Sequence, residues 1–557
     1  MEPGGRRRQQ QQQRRLQELR REATQYYQDH RVPQRMEEAL NALFPQRPAD
    51  LYGELANYFS KFSKAPVICK LVGRKVLDGV GQPTLEVEIY CTVKNYEKRI
   101  CSTVMSSHSQ IPENALPETT EADEKERNDS VNTAVEWVNE SLNMMLRGLK
   151  PTDQCKVDKI LGEYFTKKVE EKKEVQKQEE EEEEEATLAL TSCTPSATSL
   201  PGKKKSAKPG KKVAVAERPI PPAEPAESVL RGSVAIGGTS LAVAKAGAAV
   251  SRIPLYLHIA LLKCDQDSLK EMTLPLPMVT LLNCEKISPA KLRLVKEVML
   301  IPPVQLSLKQ PSSQVADSKK GRAHNTGKKA PLKGKYEILT GTFKSPDEMV
   351  DVYVELINKF PFIIALIDPL RKEDRQQWSN ICCALGSKCY LIAEDAATYI
   401  SKLKTDQNIN VPMCSGVVLK YINETKVSDL IEVTGLLDGQ RHITILGSPD
   451  GESSDDSLVD LAVGLGARFI KLGGLSRGER VTKYNRLLAI EEELAKNRTL
   501  REANLEFIAF AEESQPEKQL SDVLPPPKQD SLPPQLSQPA LQVHSLPAQH
   551  ADLGHPN

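Results

Sequence analysis

Three successive stretches of the sequence are apolar runs that each end in a polar or charged residue. They are FPFIIALIDPL (360–370), SKCYLIAED (387–395) and VPMCSGVVLKYIN (411–423). Continuous apolar runs of this kind are typical of parallel strands, because such strands are buried on both faces. The surrounding region, 275–510, is close to the roughly 250 residues of a (β/α)8 barrel. The pattern therefore predicts an α/β protein with a (β/α)8-type barrel in this region.

Two lysines stand at the ends of predicted barrel strands. Lys420 follows the run GVVL, and Lys471 follows ARFI. Because the carboxyl ends of barrel strands all point into one mouth, the two lysines are expected to meet there although they are distant in the sequence. The alternative is that each is a surface lysine capping a strand, and the spacing alone favours that alternative.

Shifts in composition divide the rest of the chain into further segments. They are an Arg/Gln-rich charged tail (1–30), a helical hairpin (31–63), an α+β domain (67–274) and a Pro/Gln-rich tail (511–557). Inside the α+β domain, residues 168–227 carry an acidic block, a basic block and a proline segment. Such a composition cannot bury enough apolar surface to order itself, so it predicts a disordered insertion.

The hairpin segment contains two apolar stripes with helical spacing, separated by prolines. The stripes are Val32, Met36, Leu40 and Leu43, and then Leu51, Leu55, Phe59 and Phe62. Asp50 stands where an N-cap would accept the free amides of the second helix. So small a hairpin cannot bury both stripes by itself. It therefore either docks on the rest of the chain or self-associates as a four-helix unit.

The composition restricts the partners and the compartment. With 75 basic and 75 acidic side chains, the chain has no net charge to attract a polyanion. The basic stretch KKKSAKPGKK lacks the interleaved aromatic residues of a nucleic-acid site. Eleven cysteines without a CxxC pair favour a reducing setting, and no run approaches the roughly 18 apolar residues of a membrane span. We expect a cytoplasmic protein with no nucleic-acid or membrane partner.

Several motifs resemble those of one enzyme family. The stretch GLGARFIKLGGLSRGERVTKYNRLLAIEEEL is similar to the signature of the enolases, and VLDGVGQPTLEVEIY, TSLAVAKAGAAVSRIPLYLHIA and PAKLRLVKEVMLIP extend the similarity over most of residues 70–495. The chain most resembles a divergent vertebrate branch of the family that is associated with sperm. The resemblance implies an α+β cap on a barrel, a homodimer, and the glycolytic conversion of 2-phosphoglycerate to phosphoenolpyruvate and water.

A second resemblance concerns the hairpin. The motifs VPQRMEEAL and RPADLYGELANYF resemble the RIIa/Dpy-30 dimerisation and docking module. This resemblance implies that two hairpins pair as a bundle and offer a groove to an amphipathic partner helix. It also implies an association with a glycolytic or scaffold complex of the cytoskeleton or the sperm flagellum.

The resemblance to enolases assigns roles to five residues. Lys420 corresponds to the lysine that abstracts the proton, and Glu297, in KEVMLIP, matches a catalytic-site glutamate. Lys471 corresponds to the lysine that holds substrate charge in the mouth. Ser109, placed with it among the substrate-binding residues, falls where a mobile loop supplies a serine to the second metal. Glu394 aligns with a carboxylate ligand of Mg²⁺, the family's cofactor.

The sequence also departs from the family at its chemical centre. Ile367 stands where the family has a metal-binding glutamate, and Ser448, Pro449 and Asp450 replace its phosphate-binding turn. The basic segment 303–334 reads as a linker without strands, and by the resemblance the pieces that carry the general acid and another metal ligand are missing from it, so the barrel is expected to be partly truncated. We therefore expect an incomplete magnesium site and very weak catalysis. The alternative function is a non-catalytic component of a flagellar or cytoskeletal complex that uses the enolase fold as a scaffold.

Overall fold

A computed structural model describes most of the chain. The described residues are 3–106, 117–191, 230–264, 271–283, 295–303, 322–325, 335–339, 342–394, 404–405, 408–409, 411–420, 422–448, 452–501 and 507. Ser109, Pro449 and Asp450 lie outside these ranges, as do residues 192–227 of the predicted insertion and the whole Pro/Gln-rich tail.

The amino-terminal part of the molecule is mainly helical around one small sheet. Its helices are α1 (Pro3–Asp29), α2 (Val32–Leu43), α3 (Leu51–Ser60), α4 (Pro117–Trp137), α5 (Asn143–Leu146), α6 (Gln154–Thr191), α7 (Val234–Ser251) and α8 (Leu255–Lys263). A π-helical turn, Val138–Leu142, joins α4 to α5. The sheet is antiparallel in the order β1 (Val67–Leu77), β2 (Pro83–Val93) and β3 (Tyr96–Val104).

Helices α2 and α3 confirm the two predicted helices of the hairpin. The carboxylate of Asp50 accepts a hydrogen bond from the backbone N–H of Gly53 at 2.9 Å, so the predicted N-cap is also confirmed. Only part of the first stripe is covered within the chain. Leu43 is buried, whereas Met36 and Leu40 are 44% and 50% exposed. The hairpin therefore leaves an apolar surface open.

Helix α7 lies in the core of the α+β domain. Among the described residues it is the one helix long and apolar enough to cross a membrane, but 67% of it is buried inside the molecule. Its alanines pack with the inward residues of β2, such as Leu85 and Ile89, and with Val138 and Leu161. The helix is apolar all round because the sheet and the neighbouring helices surround it, which is typical of a central core helix.

Helix α6 differs from the sequence-based expectation. It continues through residues 168–191, the first part of the segment that the composition predicted to be disordered. That part of the prediction is wrong. The reason is that glutamate and lysine are good helix formers, and pairs such as Lys168 and Glu171, whose charged atoms are 2.8 Å apart, support a helix without a core.

The carboxyl-terminal part is a closed barrel of eight strands surrounded by helices. The barrel strands, in spatial order, are β10 (Ile363–Ile367), β11 (Tyr390–Ala393), β14 (Gly416–Leu419), β15 (Ile443–Gly447), β16 (Phe469–Gly473), β5 (Leu276–Asn283), β6 (Glu297–Leu300) and β7 (Arg322–Asn325). Neighbouring strands are parallel, except that β6 is antiparallel to both β5 and β7. The predicted fold class is thereby confirmed.

Short strands and the outer helices complete this part. The short strands are β4 (Met272–Thr273), paired with β17 (Leu500–Arg501), and the pairs β8 (Tyr336–Leu339) with β9 (Thr342–Lys344) and β12 (Lys404–Thr405) with β13 (Asn408–Ile409). The helices are α9 (Pro346–Lys359), α10 (Arg375–Leu385), α11 (Val427–Gly439), α12 (Ser457–Leu465) and α13 (Gly478–Asn497). Their apolar faces form one buried cluster with the outward residues of the strands.

Strand β7 corrects the interpretation of segment 303–334. The sequence predicted a linker without strands, yet Arg322–Asn325 pairs with β6 on one side and β10 on the other. The residues of β7 have little strand propensity of their own. Strand formation here follows from the two neighbours, whose backbone N–H and C=O groups would otherwise form unpaired edges.

Candidate active site

The register of the barrel arranges the candidate residues around one mouth. Lys471 lies on β16, and Lys420 and Glu394 come directly after β14 and β11. Glu297 begins β6, and because β6 is antiparallel to its neighbours, its first residue lies at the mouth. The structure therefore brings together four of the five residues that the sequence singled out. Ser109 lies outside the described residues.

Lys471 makes ion pairs with both glutamates. Its Nζ is 3.0 Å from Oε1 and 3.2 Å from Oε2 of Glu394. The same Nζ is 3.1 Å from Oε2 of Glu297. The side chain is only 15% exposed. It is therefore not the surface lysine that spacing alone had favoured.

Glu394 is shared by the two lysines. The Nζ of Lys420 is 3.0 Å from Oε1 of Glu394, the oxygen that also contacts Lys471. The Glu394 side chain is buried, and burial alone would raise its pKa. The ammonium groups of Lys471 and Lys420 outweigh that effect and hold the pKa of Glu394 well below its usual range. Glu394 is therefore a carboxylate at neutral pH.

Lys471 is correspondingly an ammonium. Burial alone would lower the pKa of Lys471, but the carboxylates of Glu394 and Glu297 raise it above its ordinary value. The four side chains, Lys420, Lys471, Glu297 and Glu394, form what we call the mouth cluster. It contains two ammonium groups and two carboxylates, which are joined by the ion pairs Lys420–Glu394, Lys471–Glu394 and Lys471–Glu297.

Two further residues hold the mouth cluster in place. The carboxylate of Asp368 accepts a hydrogen bond from the backbone N–H of Glu394 at 2.9 Å, and Asp368 itself has a positive φ of 49°. The hydroxyl of Thr280 donates to Glu297. The signal for Asp368 is its position in IDP, between a strand and a proline. Thr280 is an ordinary strand residue in sequence, and we find no signal for it.

The residues at the mouth do not fit a magnesium site. Ile367 is fully buried and packs inside the barrel with Ala365, Ile392 and Val418. Its hydrocarbon side chain cannot bind a hard cation, which takes oxygen ligands. Within the described ranges, no group of three or more His, Cys, Asp or Glu side chains is placed to hold a metal ion.

The barrel end near Ser448 is linked to the β3 edge of the α+β domain. The backbone N–H of Ser448 donates to the carbonyl of Lys471 at 2.9 Å. Farther along the same segment, Asp455 accepts from the hydroxyl of Thr103 and from the backbone N–H of Val104, at 2.9 and 3.0 Å. These bonds fix the end of β3, from which the chain continues toward Ser109.

Comparisons with known proteins agree with this architecture. The family model described as "Enolase, N-terminal domain" matches residues 68–172, and that described as "Enolase, C-terminal TIM barrel domain" matches residues 304–506. Enolase 4 of Homo sapiens is 46% identical over 583 residues, covering 90% of this chain and 92% of that protein. Enolase 4 of Xenopus laevis is 44% identical over 540 residues, covering 87% and 93%. Cytosolic enolase 3 of Arabidopsis thaliana is 24% identical over 535 residues, covering 84% and 96%.

The resemblance inferred from the signature around Lys471 is thus confirmed along most of the chain. The α+β domain and the barrel match the two domains of one family, and this chain belongs to the enolase family.

Proposed function

We propose that this chain is an enolase-type protein whose barrel converts 2-phosphoglycerate to phosphoenolpyruvate and water very slowly or not at all. The family's reaction is a lyase step of glycolysis, and the family typically uses Mg²⁺. One observation carries the proposal. Ile367 is fully buried in the barrel interior at the position where the resemblance places a metal-binding glutamate.

The chemistry explains why this one position has so large an effect. The proton to be removed is adjacent to a carboxylate, so its removal creates an ene-diolate with two negative charges that needs strong cationic stabilisation. A catalytic metal supplies several kcal/mol of such stabilisation, and a tenfold change in rate corresponds to about 1.4 kcal/mol. Loss of the metal site therefore removes many orders of magnitude in rate.

The base is also poorly placed to act. An amine must be neutral to accept a proton, whereas the Nζ of Lys420 is ion-paired with Glu394 at 3.0 Å. At the phosphate turn, Ser448, Pro449 and Asp450 replace the family's binding residues, and an aspartate repels a phosphate. These features support weak binding of the substrate as well as slow chemistry.

The test is the formation of phosphoenolpyruvate, followed by its absorbance, with purified protein and saturating magnesium. A Lys420→Ala variant is the matched control. We expect no turnover above that of Lys420→Ala. Magnesium-dependent turnover that Lys420→Ala abolishes would contradict the proposal, whereas turnover equal in both proteins would identify a contaminating enolase.

We also infer a second function, in the hairpin of α2 and α3, which is the docking of the protein to a scaffold. The supporting observation is its open apolar surface, formed by residues that share high exposure: Met36 (44%), Leu40 (50%), Phe44 (73%), Leu51 (43%) and Phe62 (50%). Large apolar side chains in such a cluster mark interaction sites. A second copy of the hairpin covers this apolar surface and completes a four-helix bundle.

Sedimentation of a fragment of residues 25–66 tests this pairing. We expect a helical dimer for the native fragment and a monomer for Leu40→Glu, which places a charge on the open surface. A monomeric, unfolded native fragment would exclude the pairing.

We further propose that the paired hairpins bind an amphipathic helix of a sperm flagellar or cytoskeletal scaffold within the cytoplasm. Loss of that localisation in the Leu40→Glu full-length protein is the expected result, and unchanged localisation would contradict it.

A further inference from the structure

The ammonium of Lys471 is surrounded by carboxylate oxygens from two different strands of the barrel. Its Nζ lies 3.0 and 3.2 Å from the two oxygens of Glu394 and 3.1 Å from Oε2 of Glu297. Three oxygens from two carboxylates thus surround one positive charge. This is the arrangement by which proteins hold a hard cation, except that the cation is covalently tethered to β16.

The order of residues around the mouth explains why no further carboxylate joins this set. The register pairs Glu297 with Asn325, Asn325 with Ile367, and Ile367 with Ile392, two residues before Glu394. The paired positions between the two glutamates are therefore an amide residue and a hydrocarbon residue. Asp368 follows Ile367, and its carboxylate accepts a hydrogen bond from the backbone N–H of Glu394 at 2.9 Å. Among the described residues, the carboxylates in ion-pair contact with Lys471 are those of Glu297 and Glu394, and the mouth cluster as a whole has two positive and two negative groups.

We infer that the Lys471 ammonium is the resident cation of the barrel mouth, where it takes the place that a divalent cation would take between Glu297 and Glu394. This inference rests on the proposed absence of magnesium-dependent catalysis and adds a physical cause to it. A free cation would have to displace a charge that is already tethered in contact with both carboxylates. Lys471 therefore acts as a positioning residue that holds the two glutamates together, in addition to any contact with substrate.

Removal of the Lys471 charge should strengthen metal binding at the mouth. Lys471→Met keeps an unbranched side chain of similar length but deletes the ammonium, which leaves two carboxylates facing one another. Magnesium and manganese sites commonly use one or two carboxylates and complete their coordination with water. We therefore expect Lys471→Met to bind one Mn²⁺ per chain at least about tenfold more tightly than the native protein, because the ammonium between Glu297 and Glu394 is gone and only Lys420 still pairs with Glu394 among the described contacts.

The experiment uses the full-length protein and measures Mn²⁺ directly. Binding is followed by the loss of the electron paramagnetic resonance signal of free Mn²⁺, and magnesium is tested by its effect on the melting temperature. Two control variants test whether the gain in Mn²⁺ binding comes from loss of the Lys471 charge and whether it requires the Glu394 carboxylate. Lys471→Arg keeps the charge, so no gain in Mn²⁺ binding is expected. Lys471→Met with Glu394→Gln removes a carboxylate, so the gain should be lost.

Two results would overturn the inference. One is Mn²⁺ binding to the native protein that Glu394→Gln abolishes, because the mouth would then already accept a divalent cation. The other is a Lys471→Met variant with a native circular dichroism spectrum and no gain in Mn²⁺ binding. If Lys471→Met does not fold without metal, folding on addition of Mn²⁺ supports the inference. Comparison of Mn²⁺ binding by the native protein and by the Glu394→Gln variant then remains as the second test. None of these readings depends on phosphoenolpyruvate formation, so the proposed function and this inference can fail separately.

Discussion

At the scale of single residues, Asp368 links the backbone geometry of the mouth to its charges. Its φ of 49° lies in the left-handed region, which aspartate and asparagine tolerate better than most other residues. In this conformation its carboxylate reaches the backbone N–H of Glu394. A residue that disfavours this conformation, or that cannot accept the bond, should loosen the segment that carries Glu394.

Replacing Asp368 should therefore have a measurable effect on stability. Asp368→Ala leaves the buried N–H of Glu394 without this acceptor, and we expect a loss of about 1–3 kcal/mol in the free energy of unfolding. Asp368→Asn keeps an acceptor and tolerates the same φ, so its loss should be smaller. Urea denaturation of both variants measures the difference. Equal stability of Asp368→Ala and the native protein would show that the bond does not support the mouth.

His258 should make stability depend on pH. The side chain is buried, and its Nε2 has no hydrogen-bond partner among the described residues. Burial lowers the pKa of His258 below its ordinary value of 6.5, so near pH 6 the unfolded chain binds more protons than the folded one. The contribution of neutral His258 to the free energy of unfolding is therefore fully present above pH 6.5 and decreases as the pH falls below 6.5.

The test of this dependence is a series of melting temperatures between neutral and mildly acidic pH. His258→Gln, which cannot titrate, should decrease the fall relative to the native protein. His442 remains in that variant, and burial lowers its pKa too, so a smaller fall should persist. A pH profile that His258→Gln leaves unchanged would contradict the assignment.

The sequence predicted part of the site because barrel topology makes distant strand ends converge. Lys420 and Lys471 were placed at one mouth on this ground, and both are there. What the sequence could not provide was the pairing among these residues. Whether Lys471 faces solvent, substrate or Glu394 depends on distances across the barrel, which no spacing along the chain encodes. The role of Asp368 likewise depends on a backbone angle, which the letters IDP only suggest.

At the scale of secondary-structure elements, the predictions succeeded where periodic burial determines the structure. The apolar runs of β10, β11 and β14 and the stripes of α2 and α3 were recognisable because each has a buried face. Strand β7 was missed because its residues contain no such pattern, and its neighbours in the barrel determine its conformation. Helix α6 was underestimated beyond residue 167 because charged residues favour a helix and a solvated chain alike.

The extension of α6 beyond residue 167 should contribute little to the stability of the domain. The buried residues of this helix, such as Val157 and Leu161, all precede residue 168 among those whose side chains are described. Deletion of residues 170–226 should therefore leave the core intact, and a doubling of loop length changes the closure free energy by only about 0.6 kcal/mol. We expect a nearly unchanged melting temperature. Leu161→Ala, by contrast, should cost about 2–5 kcal/mol as a core truncation. A large loss on deletion would show that the extension packs on the domain.

At the scale of the whole molecule, buried polar residues connect the α+β domain with the barrel. Asp158 on α6 is 1% exposed and accepts from the Ser240 hydroxyl at 2.7 Å and from the backbone N–H of Ser428 at 2.9 Å. Ser428 is the second residue of α11, so the carboxylate lies at the amino-terminal end of a barrel helix, where the helix dipole favours a negative charge. The Ser240 hydroxyl in turn accepts from the N–H of Val427 at 2.9 Å.

This connection predicts that Asp158 stabilises both parts of the molecule together. Asp158→Asn replaces one acceptor oxygen with a donor and removes the charge, so one of its buried partners loses its bond at a cost of about 1–3 kcal/mol. Because the partners belong to α7 and α11, protection from hydrogen exchange should decrease on both sides of the connection. Asp153→Asn, an exposed change one turn earlier in the chain, is the matched control and should leave exchange unaffected. Loss of protection in α6 and α7 alone, with α11 unchanged, would show that the barrel is stable without this contact and that the carboxylate serves only the α+β domain.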